Sequence, residues 1–343
     1  MIDTHNTILD IKNLSINFQT SQGKLQAIRD ISLKLYKNEI LAIVGESGSG
    51  KSVLCKSIMG LLPSSAEISG HIAINNHDIT NINRTDFSSI RGKVCSIILQ
   101  DPMSSLNPVI SIGNQIIEAI LIHQKMTYIE AKNKAIKLLE LVGITFANER
   151  FDLKPHCFSG GMLQRCIIAI AIAQNPQILF ADEPTTGLDS STKLQILDLL
   201  SSLKNKINMS IVFISHDLGT IARIADHVAI MYAGKIIEIG TCHDIFYTPA
   251  HPYTRALLLA QPKFSQQGKY LPTLPGLPPL LINPPKGDAF APRNKYALNI
   301  DFIKEPPFYK LSPSHQVASW LYDDNAPKNI MPPWSTIYKQ GND

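Results

Sequence analysis

Apolar residues follow two different patterns along the first 240 or so positions of the chain. In two stretches they alternate with polar residues, which predicts strands buried on one face. The alternating positions are Leu14, Ile16 and Phe18 in the first stretch and Ile31, Leu33 and Leu35 in the second. Continuous apolar runs, typical of buried parallel strands, lie at Ile40–Val44, 94–99, 177–181 and 210–215. Because helical patterns such as 193–208 separate these runs, the chain is predicted to form an α/β sheet with helices on its faces.

The strand pattern disappears between about residue 101 and residue 165, where helical spacing replaces it. The stretch from Thr127 to Glu130 has the form of a capping box, which predicts the start of a helix. Apolar residues then recur at helical spacing, at Ala131, Ala135, Leu138, Leu139 and Val142. Gly143 stands where a helix C-cap is expected. The segment is therefore predicted to be a helical subdomain inserted into the α/β core.

The composition changes after about residue 248, because most of the 22 prolines lie beyond it. Such a proline-rich segment is predicted to be mostly extended or turning. One helix is predicted within it, at residues 253–260. We therefore divide the chain into a main domain at 1–248 and a C-terminal extension at 249–343.

Composition and charge exclude several classes of protein. The net charge of +4 is mild and does not indicate nucleic-acid binding, so no nucleic-acid partner is expected. No apolar run is long enough to cross a bilayer. The first ten residues lack the basic start and apolar stretch of a signal peptide. The five scattered cysteines form no CxxC pair and fit a reducing cytosol without disulfides.

A glycine-rich loop joins the predicted strand Ile40–Val44 to a helical pattern at 51–62. It fits GxxxxGK[ST], in the strand–loop–helix setting that this phosphate-binding motif requires. Glycines let backbone N–H groups turn toward phosphate oxygens, and the helix N-terminus adds a favourable dipole. The nucleotide-binding residues are predicted to be Gly45, Glu46, Ser47, Gly48, Ser49, Gly50, Lys51, Ser52 and Val53. Among them, Lys51 is expected to reach the terminal phosphates and Ser52 to hold Mg²⁺. A plain flexible turn is the alternative, which the flanking elements disfavour.

A second apolar strand ends in two carboxylates, Asp182 and Glu183. At a strand end both side chains project into the crevice where α/β folds bind ligands. Asp182 is placed to hold the Mg²⁺ shell, and Glu183 to polarise the water that attacks the γ-phosphate. An acidic pair after a strand is more often the start of a solvated loop. The upstream phosphate loop favours the functional interpretation and predicts a P-loop NTPase.

The segment Ser159-Gly160-Gly161 begins another helical pattern, so it forms a second helix N-terminus that is suited to bind an anion. Alone it fits an ordinary helix N-cap. After the motifs above, it resembles the signature motif of ABC ATPases, usually written LSGGQ. The chain departs from that motif at both ends, because Phe158 replaces Leu and Met162 replaces Gln.

Further residues continue the resemblance to ABC ATPases in the expected order. Gln100 ends a strand just before the helical insert, as the Q-loop of the family does. The resemblance implies that Gln100 takes part in catalysis and that it is a Mg²⁺ ligand together with Ser52 and Asp182. Asp189, in Gly-Leu-Asp, matches the D-loop, and His216, after a strand, matches the switch histidine that contacts the γ-phosphate. Phe18 lies where the family stacks an aromatic ring on adenine, although a strand Phe fits a core position equally well.

The resemblance implies a P-loop core of ABC type with an antiparallel β subdomain, the helical insert and the C-terminal extension. It also narrows to the ATPase subunits of dipeptide and oligopeptide importers. The residues that carry it are GESGSGKS, QDPMSSLNP from Gln100, FSGGM, ADEPTTGLD and HPYTRALLLAQP from His251. Nickel importers share much of this pattern, so nickel is the alternative substrate.

The resemblance to this group implies both an activity and a set of partners. The activity is hydrolysis of ATP with Mg²⁺, in which Glu183, His216 and Gln100 are catalytic. Two different ATPase subunits pair head to tail, so that Ser159, Gly160, Gly161 and Asp189 serve the nucleotide bound to the partner. Two transmembrane permease subunits and, indirectly, an extracytoplasmic peptide-binding protein complete the transporter, with the ATPases peripheral on the cytoplasmic face of the inner membrane.

Two alternatives from other classes stay open. A soluble ABC ATPase of DNA repair or translation usually carries two cassettes, a long coiled coil or a zinc module, none of which is visible in the sequence. A P-loop kinase is disfavoured by the Ser-Gly-Gly element and by His216.

The extension departs from the group at four positions. Many members have cysteines there, in a frame like GCxFxPRC…HxVACW that resembles an iron–sulfur ligand set. This chain keeps the frame but places Asp288, Asn294, Asp301 and Ser319 at the cysteine positions. Since such clusters need thiolate ligands, no iron–sulfur cluster is predicted. A hard-metal site using Asp288, Asp301 and His315 is the less favoured alternative.

Overall fold

The structure, a computed structural model, describes residues 6–80, 82, 86–261, 274–328 and 330–334. Expectations that concern residues 1–5, 262–273 and 335–343 lie outside the described residues. The strands are β1 (Thr7–Thr20), β2 (Gly23–Tyr36), β3 (Ile40–Val44), β4 (Ala66–Ile74), β5 (His77–Asp78), β6 (Cys95–Ile98), β7 (Ile178–Asp182), β8 (Ser210–Ile214), β9 (His227–Tyr232), β10 (Lys235–Thr241), β11 (Phe308–Lys310) and β12 (Gln316–Ala318). The helices are α1 (Lys51–Ile58), α2 (Phe87–Ile90), α3 (Pro102–Ser105), α4 (Ile112–Leu121), α5 (Tyr128–Leu141), α6 (Ala147–Arg150), α7 (Gly160–Ala171), α8 (Ser190–Ile207), α9 (Leu218–Ile224), α10 (Cys242–Tyr247) and α11 (Pro252–Leu259).

The central sheet contains the predicted buried strands. In the described part of the chain its order is β11-β12-β10-β9-β3-β8-β7-β6. The strands β9, β3, β8, β7 and β6 are mutually parallel, and β10, β12 and β11 extend the sheet in antiparallel fashion. Each of β3, β7 and β8 is buried along its whole length, as continuous apolar sequences require. The carboxyl ends of the parallel strands therefore meet at one edge, where α/β folds bind ligands.

A second, antiparallel sheet has the order β2-β1-β4-β5 among the described residues. Its two long strands are the alternating stretches of the sequence, and their apolar residues face one shared core with one side of the central sheet. That core includes Leu14, Ile16 and Leu33 from the outer sheet and Ile43 and Phe180 from the central one. This is the antiparallel β subdomain that the family resemblance implies.

Between β6 and β7 the described chain forms helices α3 to α7, which confirms the inserted helical subdomain. The predicted capping box is present, because Thr127 and Glu130 bond reciprocally at the start of α5. Gly143, with φ of 82°, ends that helix in a Schellman motif: it donates to the Glu140 carbonyl while Ile144 donates to that of Leu139. The helix after the phosphate loop is shorter than its 51–62 pattern predicts, since Gly60 ends it in the same way.

The extension packs onto the central sheet instead of standing apart. Its strands β12 and β11 lengthen the sheet beyond β10, which the proline-rich sequence did not predict. Phe290 and Leu281 share a core with Tyr232 of β9 and Tyr253 of α11. Trp320 is buried and donates its indole N–H to the Lys304 carbonyl at 2.9 Å. No helix in the described ranges is long and apolar enough to cross a membrane.

Candidate active site

The predicted catalytic residues follow four neighbouring parallel strands. The phosphate loop follows β3, His216 follows β8, Asp182 and Glu183 close β7, and Gln100 follows β6. Because these strands are adjacent in the sheet, their carboxyl ends bring side chains that are up to 171 positions apart, 216 − 45, to a single edge.

The shape of the phosphate loop depends on two glycines. A Cβ on Gly45 would lie 2.0 Å from the Met231 carbonyl oxygen, so the loop can rest directly on the end of β9 only without a side chain. Gly50 has φ of 104° and forms the N-cap of α1. With no side chain at this N-cap, the first-turn N–H groups of α1 stay available to an anion. The Ser49 carbonyl accepts from the Gly234 N–H at 3.0 Å, which ties the loop to the β9–β10 turn.

Lys51 begins α1 and turns its ammonium group back into the loop. Its Nζ donates to the carbonyl oxygens of Gly45 and Glu46 at 2.8 and 2.9 Å. Burial lowers the pKa of Lys51, while the nearby carboxylates of Glu183, Asp182 and Glu46 oppose that shift. A buried ammonium bonded to neutral carbonyl and hydroxyl oxygens, including the Ser49 hydroxyl at 3.4 Å, is well suited to bind a phosphate, because the anion supplies a directly bonded charge partner.

Ser52 and Asp182 form the predicted Mg²⁺ side of the site. The Ser52 hydroxyl is hydrogen-bonded to the Asp182 carboxylate across the gap between α1 and β7. Burial raises the pKa of Asp182, the Ser52 hydrogen bond lowers it, and the net shift is upward. A hydroxyl and a carboxylate are hard oxygen donors of the kind that Mg²⁺ prefers, so this pair fits the ion.

Glu183 lies at the centre of a hydrogen-bond network. Its Oε1 is 3.1 Å from His216 Nδ1, and its Oε2 accepts from Gln100 Nε2 at 3.0 Å and Thr186 Oγ1 at 2.9 Å. Burial would raise the pKa of Glu183, but the hydrogen bonds from His216 and Thr186 outweigh it and the pKa lies below its ordinary value. The carboxylate is thus ionised and oriented, as a base that accepts a proton from water must be.

The Ser-Gly-Gly segment forms a second cluster with the D-loop. Ser159 is the N-cap of α7, and Ser159 and Gly160 are exposed. A Cβ on Gly161 would lie 2.3 Å from the Thr192 methyl group, so α7 starts in close contact with α8. Asp189 caps α8, and hydrogen bonds from Ser191 and Thr192 hold its pKa well below its ordinary value. Within the described residues, none of the hydrogen bonds of Ser159, Gly160 or Gly161 reaches the phosphate loop of the same chain.

The remaining predicted nucleotide contacts differ in burial. Ser47 and Gly48 are exposed at the tip of the phosphate loop, and Val53 is half-buried in α1 against the core below the outer sheet. Phe18 lies in β1 opposite Leu25 and Ala66, is half-buried and packs against the same core. Its ring therefore has a packing role, one of the two that its sequence allowed.

Comparison with known proteins identifies the family. A family model described as "ABC transporter" matches residues 28–186, and one described as "Oligopeptide/dipeptide transporter, C-terminal region" matches residues 237–300. The oligopeptide transport ATP-binding protein OppD of Bacillus subtilis (strain 168) is 50% identical over 329 residues, which cover 95% of this chain and 92% of that protein. The dipeptide transport ATP-binding protein DppD of Lactococcus lactis subsp. cremoris (strain MG1363) is 48% identical over 334 residues, covering 95% and 96%. This chain belongs to the oligopeptide/dipeptide ABC transporter ATPases.

Solved ABC cassettes share the fold of this ABC ATPase. A dimeric ATP-binding cassette in a post-hydrolysis state, bound to ADP and Pi, has a TM-score of 0.61 and 26% identity and covers 68% of this chain and 99% of its own. CbiO1 of Clostridium perfringens, part of the ABC transporter complex cbiONQ, has a TM-score of 0.61 and 28% identity and covers 71% and 92%. The predicted ABC-type fold and the predicted ATPase activity are confirmed.

Two contacts of this ABC ATPase escaped the sequence-based prediction. Tyr253 of α11 and Arg293 of the extension both bond to Glu46 of the phosphate loop. The motif that contains Glu46 gives no indication of a partner 247 positions away, and the cysteine frame that contains Arg293 gives no indication that its side chain reaches the phosphate loop.

The side chains at the four cysteine-frame positions of the extension accept hydrogen bonds from nearby backbone N–H groups. Asp288 accepts from the Phe290 N–H, Asn294 from that of Tyr296, Asp301 from that of Leu298 and Ser319 from that of Leu321. His315, the third residue of the alternative hard-metal site, is paired with buried Glu238 at 2.8 Å. The described residues contain no group of three or more His, Cys, Asp or Glu placed to hold a metal ion. With oxygen donors in place of thiols, these positions do not fit an iron–sulfur cluster.

Proposed function

We propose that this chain binds and hydrolyses ATP to power the import of dipeptides or oligopeptides by a membrane ABC transporter. The observation that carries the proposal is the network in which Gln100, Thr186 and His216 orient Glu183 at the same sheet edge as Lys51. The peptide substrate rests on the relatives and on the C-terminal region, which this chain shares with oligopeptide/dipeptide transporters.

In the proposed reaction the Glu183 carboxylate accepts a proton from the attacking water. The water oxygen forms a bond to the γ-phosphorus, and the bond from that phosphorus to the bridging oxygen breaks, so that ADP leaves with the electron pair. Lys51 and the N–H groups of the loop balance the negative charge of the phosphates. His216 and Gln100 hydrogen-bond to Glu183, and both are proposed to contact the γ-phosphate.

The ligand roles proposed for Mg²⁺ use residues at the same edge. Ser52 and Asp182, already joined by a hydrogen bond, would hold the ion, with Gln100 completing the set. Bound Mg²⁺ neutralises charge on the β- and γ-phosphates. Phe18 is proposed to support the adenine ring, which its half-buried position in β1 allows.

Nucleotide is proposed to be shared between two ATPase subunits. Ser159 and Gly160 are exposed at the start of α7, beside Asp189, and contact no part of their own phosphate loop through the hydrogen bonds described above. An exposed helix start with free N–H groups suits the γ-phosphate held by another subunit. Head-to-tail pairing with a second, homologous ATPase subunit satisfies both half-sites.

The membrane subunits are proposed to dock beside Gln100. A groove between β6 and the helical subdomain is lined by apolar residues that include Leu99, Leu106 and Ile170. Ile122 in its wall is 71% exposed, and Leu99 next to Gln100 is 38% exposed. We propose that a helix of each permease subunit fills this groove at the cytoplasmic face and senses closure of the ATPase pair. The extracytoplasmic peptide-binding protein acts only through those permeases.

We propose that the two parts of the chain on either side of the predicted boundary have different functions. Residues 1–248 form the nucleotide-binding domain, with the helical subdomain at about 101–165. Residues 249–343 form the extension, which is proposed to contact the partner ATPase while it packs on its own sheet.

Transport by the reconstituted complex tests the function. The chain, its partner ATPase, both permeases and the binding protein are placed in vesicles with ATP, and uptake of labelled di-, tri- and longer peptides is measured. We expect ATP-dependent peptide uptake that Glu183→Gln in this chain reduces. ATP-dependent uptake of nickel without peptide uptake would overturn the substrate class, and full ATPase turnover without any permease would favour a soluble ABC ATPase instead.

A further inference from the structure

The side chain of Arg293, in the C-terminal extension, forms a two-pronged ion pair with the phosphate loop. Its Nη1 and Nη2 donate to the two carboxylate oxygens of Glu46 at 2.8 and 3.0 Å. The arginine side chain is only 6% exposed and that of Glu46 24% exposed. Such paired geometry, partly removed from water, is stronger than an exposed ion pair.

The surroundings of Arg293 fix its guanidinium in one position. Nη1 also donates to the Tyr232 hydroxyl at 3.1 Å, and Nε donates to the Pro275 carbonyl at 2.7 Å. The guanidinium lies over the rings of Tyr232 and Phe290, at 5.7 and 6.0 Å from their centroids. Three elements that are distant in sequence therefore converge on this one cation.

Glu46 connects that cation to the catalytic lysine. Its N–H donates to the Tyr253 hydroxyl at 3.0 Å, and its carbonyl accepts from Lys51 Nζ at 2.9 Å and from the Ser49 N–H at 3.2 Å. Every polar group of Glu46 is thus engaged, two of them by the extension and α11. A displacement of Glu46 would move the carbonyl that positions Lys51.

The negative charge of Glu46 makes its ion pair with Arg293 important for phosphate binding as well as for the shape of the loop. Glu46 is an anion inside a loop that is built to receive the anionic phosphates. Left without a partner, its carboxylate would repel the phosphates and attract Lys51 Nζ. The guanidinium of Arg293 neutralises that carboxylate.

We propose that Arg293 is a positioning residue for the ATP site, acting through Glu46 to hold the phosphate loop and cancel its one acidic charge. The inference rests on the ATP-binding role proposed for this loop and goes beyond it, because it makes the C-terminal extension part of the nucleotide site. If the ion pair between Arg293 and Glu46 breaks, ATP affinity falls even though the extension does not contact the nucleotide.

Nucleotide affinity of the purified full-length chain tests the proposal, with a fluorescent ATP analogue as probe. Arg293→Met is expected to raise the Kd of the Mg²⁺–analogue complex by about 10-fold, within the usual range for coupled sites. Arg293→Lys keeps the charge but loses the two-pronged geometry, so we expect a smaller rise of about 3-fold. If the methionine variant does not fold, the lysine variant alone carries the test.

Two further variants separate this role from general anchoring of the extension. Glu305→Gln weakens another anchor of the extension, the ion pairs of Glu305 with Arg29 and Lys235, and is expected to leave the Kd unchanged. Adding Glu46→Gln to Arg293→Met removes the unpaired carboxylate and should restore most of the affinity. Wild-type affinity in both position-293 variants, an equal loss in Glu305→Gln, or no recovery in the double variant would overturn the proposal. Failure of the wild-type chain itself to bind the probe would instead reject the ATP site.

Discussion

At the scale of single residues, Lys51 gives the sharpest test of the phosphate loop. Its ammonium group is buried and held by the Gly45 and Glu46 carbonyls, so a bound phosphate gains its main cationic partner there. We predict that Lys51→Ala abolishes productive ATP binding. Equilibrium binding of a labelled ATP measures this, with Lys37→Ala, an exposed lysine outside the site, as the control. Normal ATPase activity of Lys51→Ala in the assembled transporter would reject the assignment.

Glu183 can be tested by a nearly isosteric change. Glutamine keeps an oxygen to accept from Gln100 and Thr186 but cannot take a proton from water. We predict that Glu183→Gln retains ATP binding, slows hydrolysis by at least ~10²-fold and accumulates the closed ATPase pair. Single-turnover hydrolysis and the size of the complex in ATP are the measurements, and Glu149→Gln on the exposed surface is the control. Turnover at the wild-type rate would mean that another group is the base.

Candidate site residues could be predicted where a motif has a fixed spacing, and could not be where the contact is made only in the folded chain. Lys51 and Asp182 follow from the strand–loop patterns of P-loop NTPases, and Glu183 follows from its position directly after Asp182. Arg293 does not, because its role depends on the extension folding back onto β9. Thr186, which holds Glu183, is also invisible in sequence, since a hydroxyl three positions after an acid is common in loops.

At the scale of elements, the extension contains a buried carboxylic acid with a testable pH dependence. Burial raises the pKa of Asp288 to about 7, although the Phe290 N–H lowers it; nearby Asp301 and Glu305 add to the rise and Arg29 opposes it. In the unfolded chain this group has its ordinary pKa of 3.8. As pH rises from about 4 to about 7 the unfolded chain ionises first, so the contribution of Asp288 to stability falls over that window and stays low above it.

We therefore predict that Asp288→Asn stabilises the protein above pH 7 and has little effect near pH 4. Asparagine keeps the oxygen that accepts from Phe290, and a pKa difference of about 3 corresponds to about 4 kcal/mol at most. Thermal unfolding at pH 4 and pH 8 measures the difference, and Asp152→Asn on the helical subdomain is the control. Equal effects of Asp288→Asn at both pH values would show that Asp288 is not held protonated.

The C-terminal extension also allows a prediction about iron binding. Asp288, Asn294, Asp301 and Ser319 each accept a backbone N–H, so the turns of the frame are closed by hydrogen bonds and need no metal. We predict that protein purified without oxygen contains no bound iron or acid-labile sulfide and no visible absorption of a cluster. A variant with cysteine at all four positions, reconstituted with iron and sulfide, is the matched control. Near-stoichiometric iron and sulfide in the wild-type protein would contradict the prediction.

Elements were predictable to the extent that their stabilisation is local. The capping box at Thr127 and the stop at Gly143 each depend on four to six consecutive residues, and both occur in the structure. The end of α1 at Gly60 was placed too late, because apolar periodicity continues past a glycine that reverses the backbone. Strands β11 and β12 were missed altogether. Each has three residues and depends on a neighbouring strand for its pairing, because β12 pairs with the edge of β10 and β11 pairs with β12.

At the scale of the whole molecule, the chain contains two separate clusters that we propose to be half-sites. One contains the phosphate loop, Asp182, Glu183 and His216; the other contains Ser159 to Gly161 beside Asp189. The extension and the main domain share a core through Phe290, Tyr232 and Tyr253, so the two parts predicted from composition are packed together. The proposed pairing with a second ATPase subunit would make each half-site complete.

The isolated chain should accordingly be a weak ATPase, because its γ-phosphate lacks the donors of a partner's Ser-Gly-Gly segment. Loss of such donors typically costs ~10²-fold in rate.

In the assembled pair, Lys51→Ala in this chain should empty only its own phosphate loop, whereas Gly160→Asp should block hydrolysis only at the partner's loop. An aspartate there places a negative charge against the incoming phosphate. Asn133→Asp on the exposed face of α5 adds the same charge away from both half-sites and serves as the control. Nucleotide occupancy and turnover are assigned to each subunit by combining every variant with a Lys→Ala change in the partner's phosphate loop. Full activity of the isolated monomer, or loss of hydrolysis at this chain's own phosphate loop in Gly160→Asp, would mean that the two half-sites work within one chain.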